Sequence, residues 1–120
     1  MRVLVIDDSK TEQLVVTKAL EAEGYDVFSA YDGDDGIAKA TTLKPDVIIL
    51  DVVMPGKNGF EVCRAIKKDD VLGKIPVILC TSKDQESDKF WGLKQGADEY
   101  ITKPYKIEDL LAVVRKFMLK

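Results

Sequence analysis

The sequence predicts a doubly wound α/β fold, in which helices cover both faces of a five-stranded parallel sheet. Three short apolar runs lack the polar alternation of a half-exposed strand, which is typical of parallel strands buried on both faces: residues 3–6, 47–50 and 77–80. Amphipathic segments of helical length follow each strand candidate. The β-α unit therefore occurs five times, with right-handed crossovers between parallel strands.

The other two strand candidates are residues 27–30 and 100–101, which are shorter or more mixed in polarity. We therefore place them at the edges of the sheet.

The first helix begins after Ser9 and stops at Gly24. Ser9 and Glu12 have the spacing of a capping box, in which the serine caps the helix and the glutamate side chain reaches back to the cap. We expect the face toward the sheet to consist of apolar residues, namely Leu14, Val15, Ala19 and Leu20.

The remaining helices are predicted at residues 35–43, 59–68, 84–95 and 107–118, the third of them stopped by Gly96. The last segment has the clearest helical period: Ile107, Leu110, Leu111, Val114, Phe117 and Met118.

The chain has 120 residues, a length typical of one domain, which we assign to residues 1–120. It carries 18 basic and 21 acidic side chains, a net charge of −3, and no histidine. The absence of histidine excludes a Ser-His triad, a histidine-ligated zinc and a histidine phosphoacceptor. Any chemistry must rest on carboxylates, hydroxyls, amines or a bound ion.

The composition also predicts where the protein works. Cys63 and Cys80 lie outside any C-x-x-C spacing, so we expect buried free thiols in a reducing cytosol. The longest apolar run is about four residues, against the roughly 20 of a membrane span, and Asp7 interrupts the first run too early for a signal peptide. No run of Lys and Arg is longer than two residues, so the sequence lacks the basic cluster that binds nucleic acid. We expect a cytoplasmic protein that binds neither membrane nor nucleic acid.

Acidic residues follow two of the buried strands. Asp7 and Asp8 come directly after the first strand and Asp51 directly after the third. In the flavodoxin-like order 2-1-3-4-5 these strands are neighbours at the point where the order reverses, so the three carboxylates should converge. Each like-charged pair at about 4 Å would cost about 4 kcal/mol. Either one acid binds a proton, or a cation such as Mg²⁺ or Mn²⁺ lies among them; the alternative is three solvated loop acids.

The ends of the other strands are polar as well. The fourth strand leads into Thr81 and Ser82, and Lys103 follows the fifth. A hydroxyl and an ammonium opposite an acid cluster suit an anion such as a phosphoryl group held near a metal ion. Taken singly, Thr81 could satisfy backbone and Lys103 could be an ordinary surface lysine.

Together these residues resemble the receiver domain of bacterial two-component response regulators, the CheY-like family, over essentially the whole chain. The matching elements occur in order: Asp7-Asp8, the segment 51–59 (DVVMPGKNG), Thr81-Ser82 and Lys103-Pro104. The resemblance implies that Asp51 is the phosphoacceptor. It also implies that Mg²⁺ is held by Asp7, Asp8, Asp51 and the backbone carbonyl of Val53.

The resemblance implies further roles around this centre. Lys103 would contact a phosphoryl oxygen and would precede a cis peptide bond to Pro104. Thr81 would bind another phosphoryl oxygen, and Tyr100 would turn inward when Thr81 moves. Val53 and Lys83 would tune how fast the phosphoryl group is lost. The donor would be a histidine kinase or phosphotransfer protein, since this chain has no histidine.

No effector segment follows the last helix of this sequence, so we expect the chain to act by binding a partner. In the family, the output face is formed by helix four, strand five and helix five, which here carry Trp91, Lys94, Tyr100, Tyr105 and Lys106. Phe90 and Trp91 either both lie on that face, or one packs beneath helix four as core. We expect a monomer, with a phosphorylation-dependent dimer as the alternative.

Residues 81–97 resemble the stand-alone PilH-type regulators of chemosensory systems that control type IV pili in twitching motility or phototaxis. The other possibilities are a receiver of a different chemotaxis-like pathway and a phosphate sink for a shared kinase.

Proteins of other classes fit less well. A flavodoxin would need hydroxyls and amides where Asp7 and Asp8 would repel the FMN phosphate. A haloacid dehalogenase-type hydrolase would need an acid in place of Val53. A degenerate receiver would lack part of the site. We therefore expect a signalling phosphoacceptor that catalyses its own phosphorylation and slow dephosphorylation, rather than an enzyme acting on external substrates.

Overall fold

The computed structural model describes residues 1–119. The helices and strands are β1 Arg2–Ile6, α1 Lys10–Ala22, β2 Asp26–Ala30, α2 Gly33–Leu43, β3 Val47–Leu50, α3 Gly59–Lys68, β4 Val77–Thr81, α4 Glu86–Lys94, β5 Glu99–Thr102 and α5 Ile107–Met118, with a short 3₁₀ turn at Leu72–Lys74. Among these residues, no helix is long and apolar enough to cross a membrane.

The five strands form one parallel sheet in the order β2-β1-β3-β4-β5. This confirms the doubly wound fold, the strand order and the two edge strands predicted from the sequence. Ile6 pairs with Leu50 at the ends of β1 and β3, and the N–H of Asp51 donates to the carbonyl of Ile6 at 2.9 Å. The register therefore brings Asp7 and Asp51 to the same edge of the sheet.

Two apolar layers cover the sheet. On one face the strand side chains pack against α2 and α3, and on the other face they pack against α1 and α5. Leu4 and Ile6 belong to the first layer, whereas Val3 and Val5 belong to the second. Because successive side chains point to opposite faces and both faces are covered, a central strand is apolar without alternation.

The buried face of α1 differs from the predicted one. Leu14 and Val15 are more than half exposed, whereas Gln13, Val16 and Leu20 are buried. The amide of Gln13 donates to three backbone carbonyls, of Val5, Asp7 and Ala30, at 2.8–3.1 Å. This polar anchor fixes the rotation of the helix and turns the apolar pair toward solvent. The prediction for Leu14 and Val15 was wrong because a run of three apolar residues fits two helix faces equally well.

Only one of the two hydrogen bonds of the predicted capping box is present at the start of α1. The Ser9 hydroxyl accepts from the N–H of Glu12 at 3.2 Å, as expected. The N–H of Ser9, however, donates to Asp7 Oδ1 at 2.9 Å, and the Glu12 carboxylate pairs with Lys103 instead. The expected stop at Gly24 is confirmed by its positive φ of 92°.

Two further expectations concern burial. Cys63 and Cys80 are free and buried, as predicted. Phe90 and Trp91 are 63% and 51% exposed, so neither packs beneath α4 as core. Gly92 is the buried residue of α4, and a Cβ there would lie within 3.0 Å of the Tyr100 ring and the Leu79 side chain. The helix therefore packs close to the sheet at Gly92, which leaves both aromatic side chains in solvent.

Candidate functional site

Three aspartates meet at the carboxyl edge of the sheet, where β1 and β3 end. One carboxylate oxygen from each of Asp7, Asp8 and Asp51 lies within 4.8 Å of the others. Asp7 and Asp51 are each only 7% exposed, while Asp8 is open to solvent. The convergence expected from the strand order is therefore present, and it brings most of the negative charge into a poorly solvated corner.

Lys103 lies over this cluster. Its N–H donates to the carbonyl of Thr81 at 2.8 Å, which extends the β4–β5 pairing by one step, and its peptide bond to Pro104 is cis, as the resemblance implied. The ammonium is 3.2 Å from Asp7 Oδ2, 3.3 Å from Asp51 Oδ2 and 2.9 Å from Glu12 Oε1. Sequence reasoning assigned Glu12 to a helix cap and missed it as a member of the site. The local pattern gave no signal for this role, because Asp8 lies outside α1 and the spacing of Ser9 and Glu12 fits a capping box equally well.

The electrostatics show that the cluster is not balanced. Burial raises the pKa of Asp7, and the charge of Asp51 adds to this effect, while the N–H of Ser9 and the ammonium of Lys103 oppose it. Burial lowers the pKa of Lys103, but the interaction of its ammonium with the accepting Glu12 carboxylate and the charges of Asp51 and Asp7 outweigh it and hold that pKa above its usual range. One lysine thus serves several acids, and the site retains a negative charge.

The cluster can hold a metal ion. Its ligands are all carboxylate oxygens, the donors that hard divalent cations prefer, and part of the cluster is open to solvent through Asp8. A divalent ion would offset the charge that Lys103 leaves uncompensated.

The loop after Asp51 is held close to the β3 backbone. The N–H of Val53 donates to Asp51 Oδ1 at 3.2 Å, and the N–H of Gly59 donates to the carbonyl of Val52 at 3.0 Å. A Cβ at position 59 would lie 2.2 Å from the carbonyl oxygen of Asp51, so only glycine fits there. The Asn58 and Glu61 side chains form a capping box at the start of α3. The Val53 side chain is 52% exposed and borders the aspartates.

Thr81 and Tyr100 meet through the backbone of Lys83. Thr81 is fully buried, and its hydroxyl accepts from the N–H of Lys83 at 3.4 Å. The Tyr100 hydroxyl donates to the carbonyl of the same residue at 2.7 Å. Burial raises the pKa of Tyr100 to about 12, so this hydroxyl remains a donor at neutral pH. The sequence indicated both residues but not that the backbone of one residue, Lys83, joins them.

The residues expected on the output face do not all lie together. Trp91 and Lys94 are exposed on α4, and Lys106 is exposed before α5. Tyr105, by contrast, packs against the core on the α1–α5 side, where it lines a cavity of about 650 Å³ together with Cys80. That cavity also reaches Asp51 and Lys103.

The fold and the site define the class of protein. The response regulator receiver domain matches residues 3–115, and the chain therefore belongs to that family. Among individual proteins, it is 50% identical to Protein PilH of Pseudomonas aeruginosa over 113 residues, which cover 94% of this chain and 93% of that protein.

Solved structures agree with this assignment. The chemotaxis protein CheY4 of Vibrio cholerae superposes with a TM-score of 0.91 at 34% identity, covering 97% of both chains. The beryllofluoride-activated receiver domain of Klebsiella pneumoniae RstA gives a TM-score of 0.90 at 27% identity, covering 100% of both chains. These neighbours confirm the CheY-like architecture.

Proposed function

We propose that this protein is a phosphorelay response regulator that accepts a phosphoryl group on Asp51 in a Mg²⁺-dependent reaction. The donor is a histidine kinase or a phosphotransfer protein. The observation that carries this proposal is the cluster of Asp7, Asp8 and Asp51, whose charge Lys103 offsets only in part. Such a site favours the arrival of a metal ion and, with it, of a phosphoryl group.

Asp51 supplies the oxygen that attacks phosphorus. A P–O bond forms to its carboxylate as the bond from phosphorus to the donor imidazole nitrogen breaks, and the electron pair of that bond leaves with the imidazole. The Lys103 ammonium, 3.3 Å from Asp51 Oδ2, stabilises the negative charge on the transferred group. The Val53 N–H fixes the orientation of the attacking carboxylate.

Asp7, Asp8, Asp51 and the backbone carbonyl of Val53 would hold the Mg²⁺, for which Mn²⁺ is a possible substitute. When bound, the ion supplies positive charge that lowers the repulsion between the carboxylates and the incoming phosphoryl oxygens. Because Asp7 and Asp51 are buried, this charge acts with little screening by water.

Thr81 and Tyr100 form the switch in this proposal. A phosphoryl oxygen on Asp51 would attract the Thr81 hydroxyl away from the N–H of Lys83, the residue whose carbonyl holds the Tyr100 hydroxyl. The Tyr100 ring lies against Gly92 of α4, so its displacement changes the surface around α4 and β5. Trp91, Lys94 and Lys106 would contact the output protein there.

The similarity to Protein PilH supports a role in type IV pilus motility or taxis. A receiver of another chemotaxis-like pathway, or a phosphate sink for a shared kinase, would use the same site. In each case the protein acts as a signalling phosphoacceptor that catalyses its own phosphorylation and slow dephosphorylation.

Phosphotransfer profiling tests the proposal. The purified protein is incubated with each histidine kinase of the host, phosphorylated with labelled ATP, with and without Mg²⁺. We expect rapid labelling by one kinase, loss of labelling without Mg²⁺, and no labelling of Asp51→Asn. Asp69→Asn, which changes an exposed acid that accepts from the N–H groups of Val71 and Leu72 away from the site, is the matched control and should be labelled normally. Labelling of Asp51→Asn at the normal rate would disprove the acceptor assignment.

The side chain at position 53 should control the lifetime of the phosphorylated state. The exposed valine borders Asp51 but has no group that can orient an attacking water. We predict that Val53→Asn shortens the phosphoryl lifetime by roughly tenfold, as expected for gaining one water-orienting group. The measurement is the decay of labelled protein on a Phos-tag gel. Val71→Asn, at an exposed valine outside the site, serves as the control, and an unchanged decay in Val53→Asn would contradict the prediction.

A further inference from the structure

Glu12 is the nearest carboxylate to Lys103. Its Oε1 lies 2.9 Å from the ammonium, compared with 3.2 Å for Asp7 and 3.3 Å for Asp51. Unlike those two aspartates, Glu12 is not part of the cluster that can hold a metal ion. Its side chain is 45% exposed, so it reaches the lysine from the solvent side of the site.

The start of α1 explains why Glu12 is free to make this contact. A glutamate at this position of a capping box normally reaches back to the N–H of the cap residue. Here Asp7 Oδ1 already accepts from the Ser9 N–H at 2.9 Å, while the Ser9 hydroxyl still holds the N–H of Glu12. The backbone of Glu12 is therefore fixed, and its carboxylate is available to Lys103.

The ammonium group, which has three N–H donors, faces three carboxylates: it donates hydrogen bonds to Asp7 and Asp51 and forms an ion pair with Glu12. A phosphoryl group on Asp51 needs at least one of those donors. Asp7 and Asp51 would also be bound to the metal ion, whereas Glu12 has no second cation among the described contacts.

We propose that Glu12 is a positioning residue that holds Lys103 over the acid cluster before phosphoryl transfer and competes with the phosphoryl oxygens for it afterwards. This inference rests on the proposed function of Asp51. Its physical consequence is that the Glu12 charge acts in opposite directions on the two ligands. It attracts the divalent cation, and it repels the anion while withholding the lysine from it.

The opposite signs provide a test that misfolding cannot imitate. We expect Glu12→Gln to weaken Mg²⁺ binding by about threefold and to strengthen beryllofluoride binding at saturating Mg²⁺ by about threefold, since the lost charge is partly screened by water. Isothermal titration calorimetry measures both affinities on the full chain. Glu12→Ala should show the same two signs.

Glu23→Gln is the matched control. It removes the same charge from the other end of α1, where Glu23 pairs with Arg115, and it should change neither affinity. If Glu12→Gln leaves both affinities unchanged, or weakens both, the role of Glu12 is refuted while the proposed function stands. If the wild-type protein itself does not bind beryllofluoride with Mg²⁺, the proposed function fails, and the role of Glu12 fails with it.

Discussion

At the amino end of the sheet the acids are paired, whereas at the carboxyl end several acids share one lysine. Asp46 accepts from the N–H of Arg2 at 2.8 Å. Asp98 accepts from the N–H of Val77 at 2.8 Å and pairs with Lys67 at 2.7 Å. Lys67 also donates to the carbonyl of Ile75 at 2.8 Å, so that β4 starts in a closed set of hydrogen bonds.

The carboxyl end has the same kinds of side chain in a different proportion. Asp7, Asp8 and Asp51 converge there, and their common cation Lys103 is also shared with Glu12. The comparison shows that acidic side chains stabilise the fold at the amino end of the sheet, where each has a partner. At the carboxyl end they destabilise it, because several of them share one lysine. Balanced charges hold the strands in place, while the imbalance at the opposite edge is available for binding a ligand.

Breaking the paired end should have the largest effect on stability. We predict that Asp98→Ala lowers the free energy of unfolding by about 2 kcal/mol, because the N–H of Val77 and the ammonium of Lys67 both lose a partner. Urea denaturation followed by circular dichroism measures the change. Glu23→Ala, which removes an exposed pair with Arg115, is the control and should cost less than about 0.5 kcal/mol. The two carboxylates are equally exposed, but only Asp98 also accepts from a backbone N–H, and its partner Lys67 is less exposed than Arg115. Equal losses in the two variants would contradict this difference.

Removing an acid from the carboxyl end of the sheet should raise the free energy of unfolding instead of lowering it. We predict that Asp51→Asn raises the free energy of unfolding of the Mg²⁺-free protein by about 1 kcal/mol, since it relieves the repulsion with Asp7 and Asp8. The same variant should lose most of the stabilisation that Mg²⁺ gives to the wild type. Thermal unfolding with Mg²⁺ and with EDTA measures both effects. A less stable Asp51→Asn in EDTA would show that the cluster is already balanced without a metal.

Salt should reveal the same imbalance more weakly. Raising NaCl from about 0.05 M to about 0.5 M shortens the screening length. In the Mg²⁺-free wild type this should relieve repulsion at the carboxyl end and add about 0.5 kcal/mol of stability relative to Asp51→Asn, in which one of the like charges is absent. The measurement is urea denaturation of the two proteins in parallel at both salt concentrations. If salt changed the stability of the wild type and of Asp51→Asn equally, the repulsion would not arise from Asp51 and its neighbours.

The sequence was sufficient to predict the positions of site residues that directly follow a strand. The apolar runs predicted the central strands, and the flavodoxin-like order placed the first beside the third. Since residues directly after parallel strands lie at one edge of the sheet, the meeting of Asp7, Asp8 and Asp51 followed from their positions. The place of Lys103 after β5 was predictable for the same reason.

Contacts that depend on competition between side chains were not predictable. The Ser9 N–H donates to Asp7 instead of Glu12, and the Glu12 carboxylate pairs with Lys103. No local sequence pattern shows which of the two carboxylates accepts from Ser9. In the same way, the rotation of α1 follows from the amide of Gln13, which finds three carbonyls from two different strands and the loop after β1. The contacts of Glu12 with Lys103 and of Gln13 with Ala30 join residues that are distant in sequence and come close only when the sheet has formed.

Gly59 and Asp51 are in contact, but Gly59 is required for folding, whereas Asp51 is required for the proposed chemistry. Any side chain there would overlap the carbonyl oxygen of Asp51, so substitutions should remove the protein from the soluble fraction of a cell. Asp51 itself can become asparagine without such an overlap. A saturation library scored for cellular abundance should therefore show position 59 as intolerant and position 51 as permissive, although the two residues touch. The same library scored for signalling should show both positions as intolerant.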